Sequence, residues 1–223
     1  MHPREAKTKD SILELIALST LWIIQIKDIE MEKLKISFLE KSDISDASSV
    51  LSEAMLNVPI HIAVFQGHGE KEREIIEKMF FELLTDLPSI TFLARIDKQI
   101  VGVMRMKSCN GGKVSNEHAK TEEVNNLDWR KSYWRSEWAR QDPLNQHWHL
   151  GPVGVLPSHQ GKGIGTKLLI RFCKEVDACL APAYLETDTD KNVRFYERFG
   201  FQVVGESEIF DIKNRYMWRH PVS

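Results

Sequence analysis

The stretch from Val153 to Leu169, VGVLPSHQGKGIGTKLL, constrains this chain more than any other. An apolar run ends at Pro157, and Gly161, Gly163 and Gly165 then lead straight into an amphipathic segment. That order predicts a strand, a glycine turn and a helix. Glycines let the backbone approach a ligand closely and take dihedrals closed to other residues. The first N–H groups of the helix lack internal partners and sit at the positive end of its dipole, equivalent to about +0.5 charge. Together they predict a cradle for phosphate oxygens. Two better-known phosphate motifs are excluded by spacing. The nucleotide P-loop needs four residues between its first glycine and Gly-Lys-Ser/Thr, and the dinucleotide fingerprint needs G-x-G-x-x-G early in the chain. Here the pattern is G-x-G-x-G, and it comes late.

The surrounding periodicity predicts a mixed α/β (α+β) fold, a mostly antiparallel mixed sheet with helices on both faces. Strands are expected at Leu34–Leu39, Ile90–Ile96, Gln99–Met106, His147–Leu156, Ala183–Thr187, Phe201–Val204 and Arg215–Arg219. Helices are expected from Ser42 or Asp43 to Asn57, Glu70 to Leu87, around Trp129–Trp138, Gly163 to Cys179 and Asn192 to Phe199. Asp97-Lys98 suits a tight hairpin, and Pro59 reads as a break. Residues 31–223 are expected to form one domain, with a helical insertion at about 108–146. Residues 1–30 read as an apolar extension.

In that extension Ser11–Ile26 is strongly apolar and follows Arg4, Lys7 and Lys9. It falls short of the ~20 residues of a membrane span and carries Glu14 and Gln25, so a docked helix is expected rather than an anchor. The 30 basic and 32 acidic side chains leave a formal charge of −2, with no block of one sign. Nucleic acid and anionic membranes are therefore not expected partners. Three unpatterned cysteines, Cys109, Cys173 and Cys179, fit a reducing, cytoplasmic setting better than a disulfide framework. None lies in an obvious electropositive loop, so none is expected to be catalytic.

With Gln160, Gly163 and Gly165 after a strand, and Asn192, Tyr196, Gly200 and Phe201 spaced as N-x-x-x-Y-x-x-x-G-F, the chain resembles the GCN5-related N-acetyltransferases (GNAT superfamily). The resemblance is firm over about His147–Arg219. QGKGIG, YLET and FYERFGF bring it nearest in character to puromycin-type small-molecule acetyltransferases. The resemblance implies acetyl-CoA as the acyl-donor cosubstrate. Gln160, Gly161, Lys162, Gly163, Ile164, Gly165 and Thr166 would hold its pyrophosphate. Val153, Gly154 and Val155 would run beside its pantetheine arm, with the Val155 N–H toward the thioester oxygen, and Asn192 would lie near the thiol end. The reaction implied is direct acetyl transfer to a primary amine in a ternary complex, on a small molecule. The alternatives are a protein (lysine or N-terminal) acetyltransferase and a non-catalytic acyl-CoA-binding module. A monomer or homodimer is expected.

Acetyl transfer needs a neutral amine and a proton for the departing thiolate. The family places a tyrosine beside the sulfur, which here is Tyr196. His147 and His149 alternate with Trp148 and share one side of a strand. His149 stands where some members carry their base, and Glu186 on the next strand competes for that role. Both histidines also fit a purely structural reading. No metal is expected, because no third ligand stands at a suggestive spacing from His147 and His149. The aromatic run Trp129, Tyr133, Trp134 and Trp138 reads either as a lid over the acceptor or as pairs packing on the body.

Overall fold

A computed structural model describes residues 31–86, 88–111 and 126–222. The apolar extension at 1–30 and residues 112–125 of the expected insertion lie outside the described residues. Seven strands are described: β1 (Leu34–Phe38), β2 (Ile90–Ile96), β3 (Gln99–Cys109), β4 (His147–Val155), β5 (Ala183–Thr187), β6 (Gln202–Ile209) and β7 (Ile212–Arg219). They form one sheet in the order β1-β2-β3-β4-β5-β7-β6. Every neighbouring pair is antiparallel except β4 and β5, which run parallel. The helices are α1 (Ile44–Met55), α2 (Pro59–Phe65), α3 (Glu70–Asp86), α4 (Leu127–Gln141), α5 (Ile164–Ala178) and α6 (Asp190–Glu197).

Two glycines show why helices cover both faces of the sheet. A Cβ on Gly102 would meet Ile164 and Leu168 of α5 at 3.1 and 3.2 Å. A Cβ on Gly154 would meet Ala54 and Leu51 of α1 at 2.9 and 3.0 Å. Gly102 pairs with Val155 and Val103 pairs with Gly154, so the two glycines look out of opposite faces. The middle of β3, from Ile100 to Met106, is buried throughout, as expected for a strand sandwiched between helices. On α5, Ile164, Leu168, Leu169, Phe172 and Val176 form the buried stripe.

The structure departs from the sequence expectations in four places. Pro59 opens α2 instead of breaking the chain, because the first helical position needs no N–H donor. The α2 end is closed by Gln66 in the left-handed region, with its N–H donating to the Ile62 carbonyl at 2.8 Å. The last two strands are longer than expected. They are joined by Phe210 and Asp211, both at positive φ (52° and 62°), a turn made without the glycine or asparagine that normally announces it. α4 starts before the expected Trp129, at Leu127, and Asn126 caps it, accepting from the Trp129 N–H at 2.8 Å. Finally, β3 runs on past Met106 to Cys109.

The aromatic run packs on the body. Trp134 is buried, edge-on to Trp138 at 4.7 Å, and Trp138 Nε1–H donates to Asn214 Oδ1 at 3.2 Å. Trp129 stacks on Tyr133 at 5.3 Å, and Tyr133 meets Phe210 at the same distance.

His61 of α2 lies in this aromatic layer, 5.7 Å from Phe65, 6.0 Å from Phe80 and 5.3 Å from Trp134. Its Nδ1 meets no hydrogen-bond partner among the described residues. Burial lowers its pKa from 6.5 to about 4. Between these values the unfolded chain binds a proton that the folded chain refuses, so stability must rise with pH across that window. The His61 contribution is complete above pH 6.5 and disappears as pH falls toward 4. Urea unfolding should show a loss of roughly 2 kcal/mol between pH 7 and pH 5 from this residue. His61→Phe should flatten that slope; an unchanged slope would contradict the assignment. Gly154→Ala should lower stability by about 1–3 kcal/mol in the same assay, because α1 leaves no room for the methyl group.

Candidate functional site

The parallel ladder between β4 and β5 contains two pairs, Trp148 with Ala183 and His149 with Tyr184. Beyond them the strands part. β4 gains an extra residue at the same place: Met106 pairs with Leu150 and Met104 with Val153, so one β3 residue faces the Gly151–Pro152 step. Such a bulge turns a strand away from its neighbour.

The direction of the freed backbone groups follows from one hydrogen bond. Leu156 N–H donates to the Val101 carbonyl at 3.0 Å, so it points toward β3. Along a strand these directions alternate, so the N–H groups of Val153 and Val155 point the other way, into the opening beside β5. The Val155 carbonyl there accepts from the Gln160 side chain at 3.1 Å. Gly154 has a different task from its neighbours: its missing side chain admits α1.

The glycine turn follows directly. Gly161 and Gly163 hold φ of 73° and 89°, in the left-handed region that favours glycine. Gly163 is the N-cap of α5, and no side chain caps the helix. A Cβ at Gly161 would touch nothing within 4 Å, and one at Gly163 would meet only Met31 at 3.7 Å. The glycines therefore leave open space over the first turn of the helix, with its N–H groups at the positive end of the dipole. Lys162, Ile164, Gly165 and Thr166 complete the turn, Ile164 facing inward as core. At Gly165 a Cβ would lie 3.5 Å from the Phe195 ring, which places α6 beside the start of α5.

On α6, Thr189 caps the helix by accepting from the Asn192 N–H at 3.2 Å. Tyr196 lies between Phe195 and Phe201, with ring centroids at 5.3 and 6.0 Å. Burial first, and Asp188 second, push its phenol above the ordinary tyrosine value. Tyr196 thus stays protonated across the neutral range.

His149 and Glu186, rivals in sequence, form one hydrogen-bonded pair. The His149 Nε2 lies 2.8 Å from Glu186 Oε2 across the β4–β5 junction. Burial disfavours the imidazolium, but the Glu186 carboxylate and Cys109 outweigh it and raise His149 to about 9. The histidine is therefore no free base of ordinary pKa: the pair holds a proton at neutrality. His147 is buried, with Nδ1–H donating to the Asn145 carbonyl at 2.7 Å. Burial lowers its pKa, but Asp142 and Cys109 lift it to about 10. Cys109, expected from the sequence to have no catalytic part, and Asp142, which carries no sequence signal, both join this cluster. Cys109 ends β3 directly opposite His147, and burial, which would raise its pKa, yields to His147, His149 and Lys107, leaving it at about 6. The sequence around Cys109, KSCNGG, carries no strand pattern that would have placed it there.

A family model for the acetyltransferase (GNAT) family matches residues 60–201, from within α2 through α6, with the split strands and the glycine turn. The chain belongs to the GNAT acetyltransferase family. Solved structures similar to this GNAT chain share its fold at low identity. A histone acetyltransferase HPA2-related acetyltransferase from Corynebacterium glutamicum is 18% identical with a TM-score of 0.62, covering 86% of this chain and 98% of its own. A mosquito arylalkylamine N-acetyltransferase-like protein (5b) is 13% identical with a TM-score of 0.62, covering 84% and 99%. The PaiA N-acetyltransferase from Thermoplasma acidophilum, solved with coenzyme A, is 14% identical with a TM-score of 0.52, covering 84% and 98%. No single described helix of this GNAT chain is long and apolar enough to cross a membrane.

A side chain at Gly163 would be forced into the left-handed region. Gly163→Ala should therefore cost about 1–2 kcal/mol in chemical unfolding. Equal stability of the two proteins would show that the turn relaxes and that its φ is not needed.

Proposed function

We propose that this GNAT protein is an acetyl-CoA-dependent N-acetyltransferase that moves an acetyl group directly to a primary amine of a small molecule. The observation that carries the reading is the joining of a split β4 edge to an uncapped glycine-led helix start. One offers outward backbone N–H groups; the other offers a concave positive end. Acetyl-CoA presents a diphosphate, an amide-bearing arm and a thioester in series, and this site answers each part with a matching group.

The backbone of Gln160 to Thr166 holds the diphosphate, in the open space left by Gly161 and Gly163. Gln160 also fixes the end of β4 through the Val155 carbonyl. Val155 and Val153 offer their N–H groups to the arm and to the thioester oxygen. Val153 lies four residues from His149 and Val155 six, about 13 and 20 Å along an extended strand. We therefore assign the oxygen that gains charge to the Val153 N–H, nearer the His149–Glu186 pair, in place of the Val155 N–H that the resemblance implied, a type of contact worth ~3 kcal/mol. The cosubstrate supplies the activated acetyl group.

The acceptor arrives as an ammonium and must lose a proton. In its deprotonated form the His149–Glu186 pair, at the point where the strands part, takes up that proton, with Glu186 as the acceptor and neutral His149 orienting its carboxylate. Tyr196, held protonated, donates to the departing sulfur. Asn192 lies one turn before Tyr196 on α6 and borders the same end of the site.

Coenzyme A release from acetyl-CoA across a panel of arylalkylamines, polyamines and aminonucleosides, beside lysine peptides, tests the reading. A small amine should be turned over, and Tyr196→Phe and Glu186→Gln should each lower kcat by about 10²- to 10³-fold with folding intact. Full activity in both variants would overturn the assigned roles. Turnover confined to peptides would overturn the small-molecule assignment.

A further inference from the structure

Cys109, His147 and His149 gather at the far end of β4 from the glycine turn, and the acetyl-transfer chemistry uses neither Cys109 nor His147. The Cys109 sulfur and one ring nitrogen from each histidine all lie within 4.8 Å of one another. The nitrogens left over after each histidine's hydrogen bond are His147 Nε2 and His149 Nδ1. Both are buried, and neither meets a partner at hydrogen-bond geometry among the described residues. Asp142, the residue that ends α4, turns Oδ1 toward both, 3.5 Å from His147 Nε2 and 3.9 Å from His149 Nδ1. We propose that Cys109, His147 and His149, with Asp142 in the fourth position, form a tetrahedral site for a zinc-class divalent cation.

Three features carry this beyond a cluster of polar side chains. The first is spacing. A zinc-type ion lies ~2.3 Å from sulfur and ~2.0 Å from nitrogen or oxygen, which sets neighbouring ligand atoms ~3.3–3.6 Å apart. The separations, within 4.8 Å among the thiol and the two imidazoles and 3.5 and 3.9 Å from Asp142 to the imidazoles, need to close by at most about 1.5 Å. The second is the outer partner of each imidazole. His147 Nδ1–H donates to the Asn145 carbonyl and His149 Nε2–H to Glu186. A histidine that binds metal through one nitrogen donates through the other to a carbonyl or carboxylate, which fixes its ring and tautomer. Here both outer bonds are made, and the inner nitrogens, His147 Nε2 and His149 Nδ1, are buried with no hydrogen-bond partner among the described residues. The third is donor type. One thiol, two imidazoles and one carboxylate suit zinc, cobalt or copper and do not suit magnesium or calcium.

The sequence hid this site because its ligands sit on three elements. The β3–β4 register sets Cys109 against His147, and the end of α4 brings Asp142 over them. A cation there would tie the end of α4 to β3 and β4. It would also lock the ring of His149, whose other nitrogen orients Glu186. Under the function proposed above, His149 is thus a positioning residue for the transfer reaction.

Chelator-treated full-length protein titrated with Co²⁺ tests the site directly. The expected result is saturation at one equivalent, with a thiolate-to-cobalt charge-transfer band and the strong visible absorption of a tetrahedral ion, both displaced by Zn²⁺ and untouched by Mg²⁺. Cys109→Ser, nearly the same size, should abolish the charge-transfer band and weaken Zn²⁺ binding at least 100-fold, with its circular dichroism and coenzyme A binding unchanged. In a second readout, Zn²⁺ should raise the Tm of the wild-type protein and not of Cys109→Ser. No charge-transfer band in the wild type, or the same band in Cys109→Ser, overturns the proposal. Loss of coenzyme A binding in the wild type would instead strike at the transferase reading and leave this one standing.

Discussion

The parting of β4 from β5 after two residue pairs is the constraint on which the rest of this molecule depends. A sheet normally closes every backbone group of its inner strands, because an unpaired buried N–H or C=O costs about as much as a lost hydrogen bond. Here the two central strands separate inside the sheet, so one edge of β4 is left with donors that nothing in the sheet satisfies. The bulge at Gly151–Pro152 opens the gap on one side, and the short β5 ladder limits it on the other. The gap is kept from closing by neighbours that are firmly held. β3 is buried between α1 and α5, and β5 is tied along its whole length to β7. An edge held open by packing is a binding surface in waiting, since an extended ligand with amide groups can complete it much as another strand would.

The glycine turn and the split edge act as one unit because they follow one another in the chain. Gln160 is the link: its side chain secures the last carbonyl of β4 while its backbone enters the turn. Gly161 and Gly163 then supply two positive-φ positions without adding atoms over the helix start. The same stretch also serves packing, through Gly154 under α1 and Ile164 in the core. Binding geometry and stability therefore share residues here, and a mutation in this segment will often disturb both.

Much of this was legible in the sequence, for identifiable reasons. The strand–turn–helix at Val153–Leu169 announces itself through glycine spacing and local periodicity, and Ile90–Ile96 and Ala183–Thr187 appear where alternation and length place them. What stayed hidden depends on contacts between distant segments. Pro59 looks like a stop until α2 is seen to begin with it. Phe210-Asp211 makes a tight turn without the glycine or asparagine that normally announces one. The pairing of His149 with Glu186, and the approach of Cys109 and Asp142, are products of strand register and helix placement, across 37 residues in the first case. His149 reads as a lone base from its own strand because its partner on β5 cannot be seen from there.

Amide hydrogen exchange with and without coenzyme A addresses the central claim most directly, since it reads individual backbone N–H groups. Adding coenzyme A should slow exchange at Val153 and Val155 and through Gly161–Thr166, with little change along β1, β6 and β7. Unchanged exchange across β4 and the glycine turn at saturating coenzyme A would contradict the account, and protection confined to another part of the fold would do so equally.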